Sequence, residues 1–107
     1  MDNSQFETLA DAMLGRIQSA LEAAGGDLDV ELVEGVLTVE TESGGKFLVN
    51  KHGPNRQIWL SSPVSGAWHF AWSETHHGWI STRGGERLED LLGRELSEAA
   101  GEAIRFD

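Results

Sequence analysis

The sequence predicts an α+β fold: a two-layer α/β sandwich in α-β(6)-α order, with an antiparallel six-stranded sheet covered on one face by two terminal helices. Three observations predict it. Apolar residues recur at helical spacing near both ends of the 107-residue chain. Between them lie six short segments with strand alternation, each closed by a tight turn. Consecutive strands joined by short turns pair antiparallel. Two amphipathic helices can then bury their apolar stripes only by sharing one sheet face, which leaves the other face to solvent. No repeat, low-complexity stretch or linker interrupts the pattern, so residues 1–107 read as a single domain.

Ser4-Gln5-Phe6-Glu7 has the form of a capping box, with Ser4 as cap and Glu7 reaching back. Phe6, Leu9, Ala10, Met13, Ile17, Ala20, Leu21 and Ala24 then follow at helical spacing, with Glu7, Asp11, Gln18 and Glu22 on the opposite face. Gly25-Gly26 is the expected stop, which gives a first helix over about residues 4–24. From Asp27 the period changes to two. Val30 and Leu32, then Val36, Leu37 and Val39, flank a Glu34-Gly35 hairpin turn, and Ser43-Gly44-Gly45 makes the next turn. Phe47 to Lys51 is strand three and Gln57 to Ser61 is strand four; Pro54 stiffens the turn between them. Ala67 to Ser73 is strand five, and Trp79 to Ser81 is a short sixth. Leu88, Leu91, Leu92, Leu96, Ala99 and Ala100 mark a second helix over about 86–100, and a tail through Ile104 and Phe106 packs back on the body.

Composition removes several function classes. There is no cysteine, which excludes disulfides, thiolate metal sites and cysteine nucleophiles. No apolar run approaches the ~20 residues of a membrane helix, and the N-terminus has no signal or transit pattern. The chain therefore reads as a cytoplasmic bacterial protein with no membrane role. The formal net charge is -10. Residues 1–42 carry ten acids against Arg16 alone, which leaves eight acids and seven bases for the rest. Such a field repels nucleic acid and attracts cations or a basic protein. Gly44-Gly45 and Gly84-Gly85 lack the Lys-Ser/Thr of a phosphate loop, and no G-x-S-x-G surrounds Ser61 or Ser62.

Two regions remain. Asp27, Asp29 and Glu31 fall at i, i+2, i+4, on one side of a strand, about 7 Å apart. Carboxylates spread in this way cannot cage one ion, but with Glu22 nearby they offer weak, open binding to hard cations such as iron, manganese, calcium or magnesium. On the solvent face of the sheet, alternation groups Asn50, His52, Gln57 and Trp59 if strands three and four pair. Ala67, His69 and Ala71 alternate away from Trp68, Phe70 and Trp72. Small neighbours should leave the Trp59 ring accessible, and an exposed Trp in polar surroundings is a common interface anchor. The adjacent pair His76-His77 reads as solvated loop histidines, because neighbouring loop residues do not direct both rings at one ion.

The run Asn50-Lys51-x-x-Pro54-Asn55-Arg56-Gln57-Ile58-Trp59-Leu60-Ser61-Ser62-Pro63 closely resembles the signature of the frataxin family. The element order, the acidic first helix and strand, Gly35-Val36-Leu37-Thr38 and Leu91-Leu92 resemble it too, over essentially the whole chain. The resemblance implies an iron-binding protein of iron–sulfur cluster assembly that docks on the cysteine desulfurase and works with the scaffold protein, as regulator or iron chaperone. It implies weakly bound iron on a ridge at Asp11, Glu22, Asp27, Asp29 and Glu31, and partner binding through Asn50, Gln57, Trp59 and His69. His69 stands where mitochondrial relatives resemble one another in having Arg, which implies a pH-sensitive contact. Gln18, Ser19, Ala23 and Ala24 thin the acid run of the family's first helix. That weakens the alternative reading, a ferroxidase that mineralises iron. A non-enzymatic monomer is expected, with an iron-dependent oligomer as the alternative.

Overall fold

The structure is a computed structural model and describes residues 1–24 and 27–106. Its elements are α1 (Asn3–Ala24), β1 (Asp29–Val33), β2 (Val36–Glu40), β3 (Lys46–His52), β4 (Gln57–Ser62), β5 (Gly66–Ser73), β6 (Gly78–Ser81) and α2 (Leu88–Ala100). The strands form one sheet in chain order, each antiparallel to its neighbours. This is the expected α+β architecture. The expected stop at Gly25-Gly26 lies outside the described residues.

The α1 cap differs from expectation. The Asp2 carboxylate accepts the Gln5 backbone N–H at 2.8 Å, and the Gln5 side-chain oxygen accepts the Asp2 N–H at 3.1 Å. The reciprocal box is thus Asp2/Gln5 rather than Ser4/Glu7, because the helix begins at Asn3 and Asp2 occupies the position before it. Glu7 is drawn instead to Lys51 of β3. The α2 helix also starts later than expected, at Leu88. Arg87 is extended, bridges Ile80 of β6, and donates to the His76 and His77 carbonyls, which holds it out of the helix. Gly101 closes α2 in the left-handed region at φ 73° and donates its N–H to the Ser97 carbonyl.

The core lies between the helices and one sheet face. Phe6, Leu14, Ile17 and Leu21 of α1 and Leu88, Leu91, Leu92 and Leu96 of α2 are buried against Leu37, Val39, Phe47, Val49, Ile58, Leu60, Phe70 and Trp79. These sheet residues alternate with those on the opposite face, as the strand period dictates. The indole of Trp79 meets Phe6 edge-on at 6.0 Å and Trp72 edge-on at 5.6 Å, which joins β5, β6 and the start of α1. The tail packs back as expected, with Ile104 and Phe106 buried. Arg16 Nε donates to the Phe106 carbonyl at 2.6 Å, and the Ile104 N–H donates to Ser97 Oγ at 2.9 Å. Gly93 makes room for the tail, since a Cβ there would sit 3.3 Å from the Ile104 carbonyl oxygen. No described helix is long and apolar enough to cross a membrane.

Candidate functional site: the uncovered sheet face and its acidic edge

Both helices lie on one side, so the central strands keep a face free of any covering element. The β3–β4 pairing sets its centre. Asn50 lies opposite Trp59, and His52 lies opposite Gln57. On the next strand His69 lies opposite Trp59, and Ala71 lies opposite Gln57. The four residues predicted for partner binding, Asn50, Gln57, Trp59 and His69, are therefore brought together, with His52 among them.

The environment of Trp59 departs from expectation. Ala67 and Ala71 leave room beside the indole, but its ring faces are not accessible. The His52 imidazole stacks on one face with centroids 3.6 Å apart and planes 9° apart. The His69 imidazole stacks on the other at 4.2 Å and 12°. Trp59 Nε1 donates to the Gln57 side-chain oxygen at 2.8 Å, and Trp59 is half-buried. The side chain thus stands upright between two imidazoles, with its N–H satisfied, and offers its edge to solvent. Asn50 is turned along its own strand and donates to the Lys51 carbonyl at 3.1 Å.

The acids predicted as a ridge divide into three places. Asp11 lies on α1, where its carboxylate sits 2.8 Å from Lys51 Nζ and shares that ammonium with Glu7. These two carboxylates hold the Lys51 ammonium above the usual lysine range. Glu22 is exposed eleven residues further along α1, roughly 16 Å of helix rise away. Asp29 and Glu31 lie on β1, on the same sheet side as Trp59, where Asp29 pairs with Glu40 and Glu40 with Lys46. Asp27 precedes β1 and is exposed. A hydrogen bond with Asp27, then its charge, pushes the Glu42 carboxyl above its ordinary range. Glu40 and Glu42 thus join the edge formed by Asp27, Asp29 and Glu31. The signal for Glu40 was its alternation with Val39; the β1–β2 register was needed to place it. Among the described residues no three His, Asp or Glu side chains gather to hold one ion. The acids form an open strip.

The loop histidines are both exposed. His76 is tied to Ser73, with a 3.1 Å contact between its Nδ1 and Ser73 Oγ, and His77 meets Trp72 edge-on at 5.2 Å. They lie in the β5–β6 turn, outside the His52–Trp59–His69 stack.

Comparison with known proteins gives a consistent pattern. Residues 1–102 match the family model described as a frataxin-like domain. The iron–sulfur cluster assembly protein CyaY of Neisseria meningitidis serogroup B is 36% identical over 106 residues, covering 99% of this chain and 96% of that protein. The protein of the same name from Dechloromonas aromatica is 41% identical over 105 residues, covering 97% of each. Among solved structures, frataxin from Psychromonas ingrahamii superposes with a TM-score of 0.91 at 27% identity, covering 100% of this chain and 99% of that one. The trimeric frataxin of Saccharomyces cerevisiae, complexed with ferrous iron, superposes with a TM-score of 0.78 at 37% identity, covering 87% and 86%.

Proposed function

Because this chain belongs to the frataxin family, we propose that it serves iron–sulfur cluster assembly by docking on the cysteine desulfurase and regulating cluster formation, delivering iron, or both. The observation that carries this reading is the pairing of an uncovered sheet face, centred on Trp59, with an acidic strip on the β1 edge of the same sheet. A face free of helices suits a flat protein partner, and an aromatic residue at its centre is a usual anchor. The acidic strip steers a basic partner surface toward that face and weakly holds iron at exposed carboxylates.

The protein acts by binding rather than by catalysis, in the cytoplasm, together with the desulfurase and the scaffold protein. Ferroxidase chemistry calls for carboxylates close enough to share iron, whereas Asp29 and Glu31 are spread along β1, Asp27 lies before that strand rather than on it as expected, and Asp11 is paired with Lys51 on α1. The monomer is the working form; the trimeric yeast relative makes iron-dependent assembly the natural alternative to examine.

The test is the sulfur-release rate of purified cysteine desulfurase with and without this protein, across iron(II) concentration and salt. A rate change that saturates with added protein and weakens as salt rises is expected. An unchanged rate at every iron concentration, with no complex by calorimetry, would refute the reading.

A further inference from the structure

On the uncovered face around Trp59, β3 contributes Leu48, Asn50 and His52, β4 contributes Gln57 and Ser61, and β5 contributes Ala67, His69 and Ala71. His52 and His69 are the only titratable side chains in this group, and both lie flat on the indole. Arg56, at the turn, is directed away, its Nε donating to Asn3 Oδ1 at 3.0 Å. Lys51 points to the other side, toward Glu7 and Asp11. Lys46 and Glu40 face each other at the far end of β3.

Each imidazole is placed by backbone rather than by chance. His52 is the last residue of β3, and its Nδ1 accepts the Asn55 N–H from the β3–β4 turn at 3.4 Å. His69 is fixed by the β4 register on one side, and its carbonyl accepts the Thr82 N–H at 2.9 Å on the other. An unclamped Trp beside two alanines could lie down over them. Stacking on both faces, with the N–H held by Gln57, removes that freedom and so lowers the ordering cost that binding would otherwise meet.

We propose that His52 and His69 are positioning residues that clamp the Trp59 indole by its two faces, so that this surface offers a docking protein the indole edge flanked by two imidazole edges. The inference rests on the docking role proposed above and names residues of that surface. The fitting partner surface is a protein patch with an apolar slot for the indole edge and hydrogen-bonding groups on either side for the imidazole nitrogens.

The test uses the whole chain, purified cysteine desulfurase and four variants: Trp59→Ala, the double His52→Ala/His69→Ala, the double His52→Phe/His69→Phe, and the double His52→Gln/His69→Gln. Proton exchange of the Trp59 indole N–H is read by NMR and affinity by calorimetry. The double Ala variant is expected to speed indole exchange and weaken binding, each about fivefold to tenfold, while backbone amide protection stays as in the wild type. The double Phe variant, which keeps flat rings, is expected to recover both, and the double Gln variant is not. Unchanged indole exchange in the double Ala variant overturns the clamp. Faster exchange with unchanged affinity, while Trp59→Ala still weakens binding, overturns the positioning role and leaves docking standing. If Trp59→Ala itself leaves the affinity unchanged, the docking role fails and the inference fails with it.

Discussion

The Lys51 ammonium lies 2.8 Å from the Asp11 carboxylate and is shared with Glu7, so a residue of the β3 strand ties the sheet to α1. Asp11 is therefore engaged as an ion-pair partner on the helix side. Gly35 belongs to the same arrangement. Its φ is 77°, and a Cβ there would sit 2.7 Å from Lys51 Cε.

This contact makes a prediction about stability and pH. Lys51→Met is expected to lower unfolding stability by about 1 kcal/mol, the upper end for a largely solvated pair that here has two carboxylate partners. The sign follows from the raised value of the folded ammonium. The stabilisation is fully present below the unfolded lysine value, about 10.4, and is lost as pH rises through the higher folded value. Urea unfolding of wild type and variant at neutral pH and above pH 11 checks it; a gap that stays constant between the two would contradict the ion pair.

The Glu42–Asp27 pair predicts the opposite behaviour at neutral pH. The Glu42 carboxyl titrates high because Asp27 shares its proton and repels its charge. A raised folded value means the favourable contribution exists below the unfolded glutamate value, about 4.3, and disappears as pH rises through the folded value. Glu42→Gln is thus expected to raise the melting temperature at pH 7 and to have little effect near pH 3. Asp27→Asn should return the Glu42 titration, followed by NMR, to the ordinary range.

Divalent cations should report the division of the acids. Manganese(II) added in small amounts is expected to broaden NMR signals first around Asp27, Asp29, Glu31, Glu40 and Glu42, where exposed carboxylates line one edge. Asp11, already paired with Lys51, is expected to respond later. Broadening that begins at Glu7 and Asp11 would count against the β1 edge as the cation strip.

The tail makes a packing prediction. Gly93→Val would push a side chain into the Ile104 carbonyl and the Phe106 ring, which stand 3.3 Å and 3.6 Å from a Cβ at that position. A loss of about 1–3 kcal/mol is expected from overpacking, with exposure of Phe106. Denaturant unfolding measures it, and an unchanged midpoint would show that the tail is not docked there.

Much of this protein was legible in its sequence, for identifiable reasons. The stripe from Phe6 to Leu21 and the alternation through Phe47–Val49 and Ile58–Leu60 are direct consequences of helix and strand periods, and they fixed which face is buried. The sites were less legible where they depend on pairs of elements. The Asp2/Gln5 cap competed with an equally well-formed Ser4/Glu7 pattern, and the choice fell to the position at which the helix begins. Placing Trp59 on the polar side followed from alternation alone. Its enclosure did not, because His52 reaches it diagonally across β3–β4 and His69 directly across β4–β5, and both registers are needed to see the stack. The coupling of Glu42 to Asp27 likewise joins two segments fifteen residues apart in sequence.

We propose that the uncovered sheet face, with Trp59 at its centre, is where the desulfurase docks. The most direct measurement is isothermal titration calorimetry of the Trp59→Ala variant against purified cysteine desulfurase, with circular dichroism to verify the fold. A loss of more than about 1 kcal/mol in binding is expected, as for an aromatic anchor buried on docking, with the fold intact. Wild-type affinity in a folded Trp59→Ala protein would contradict it.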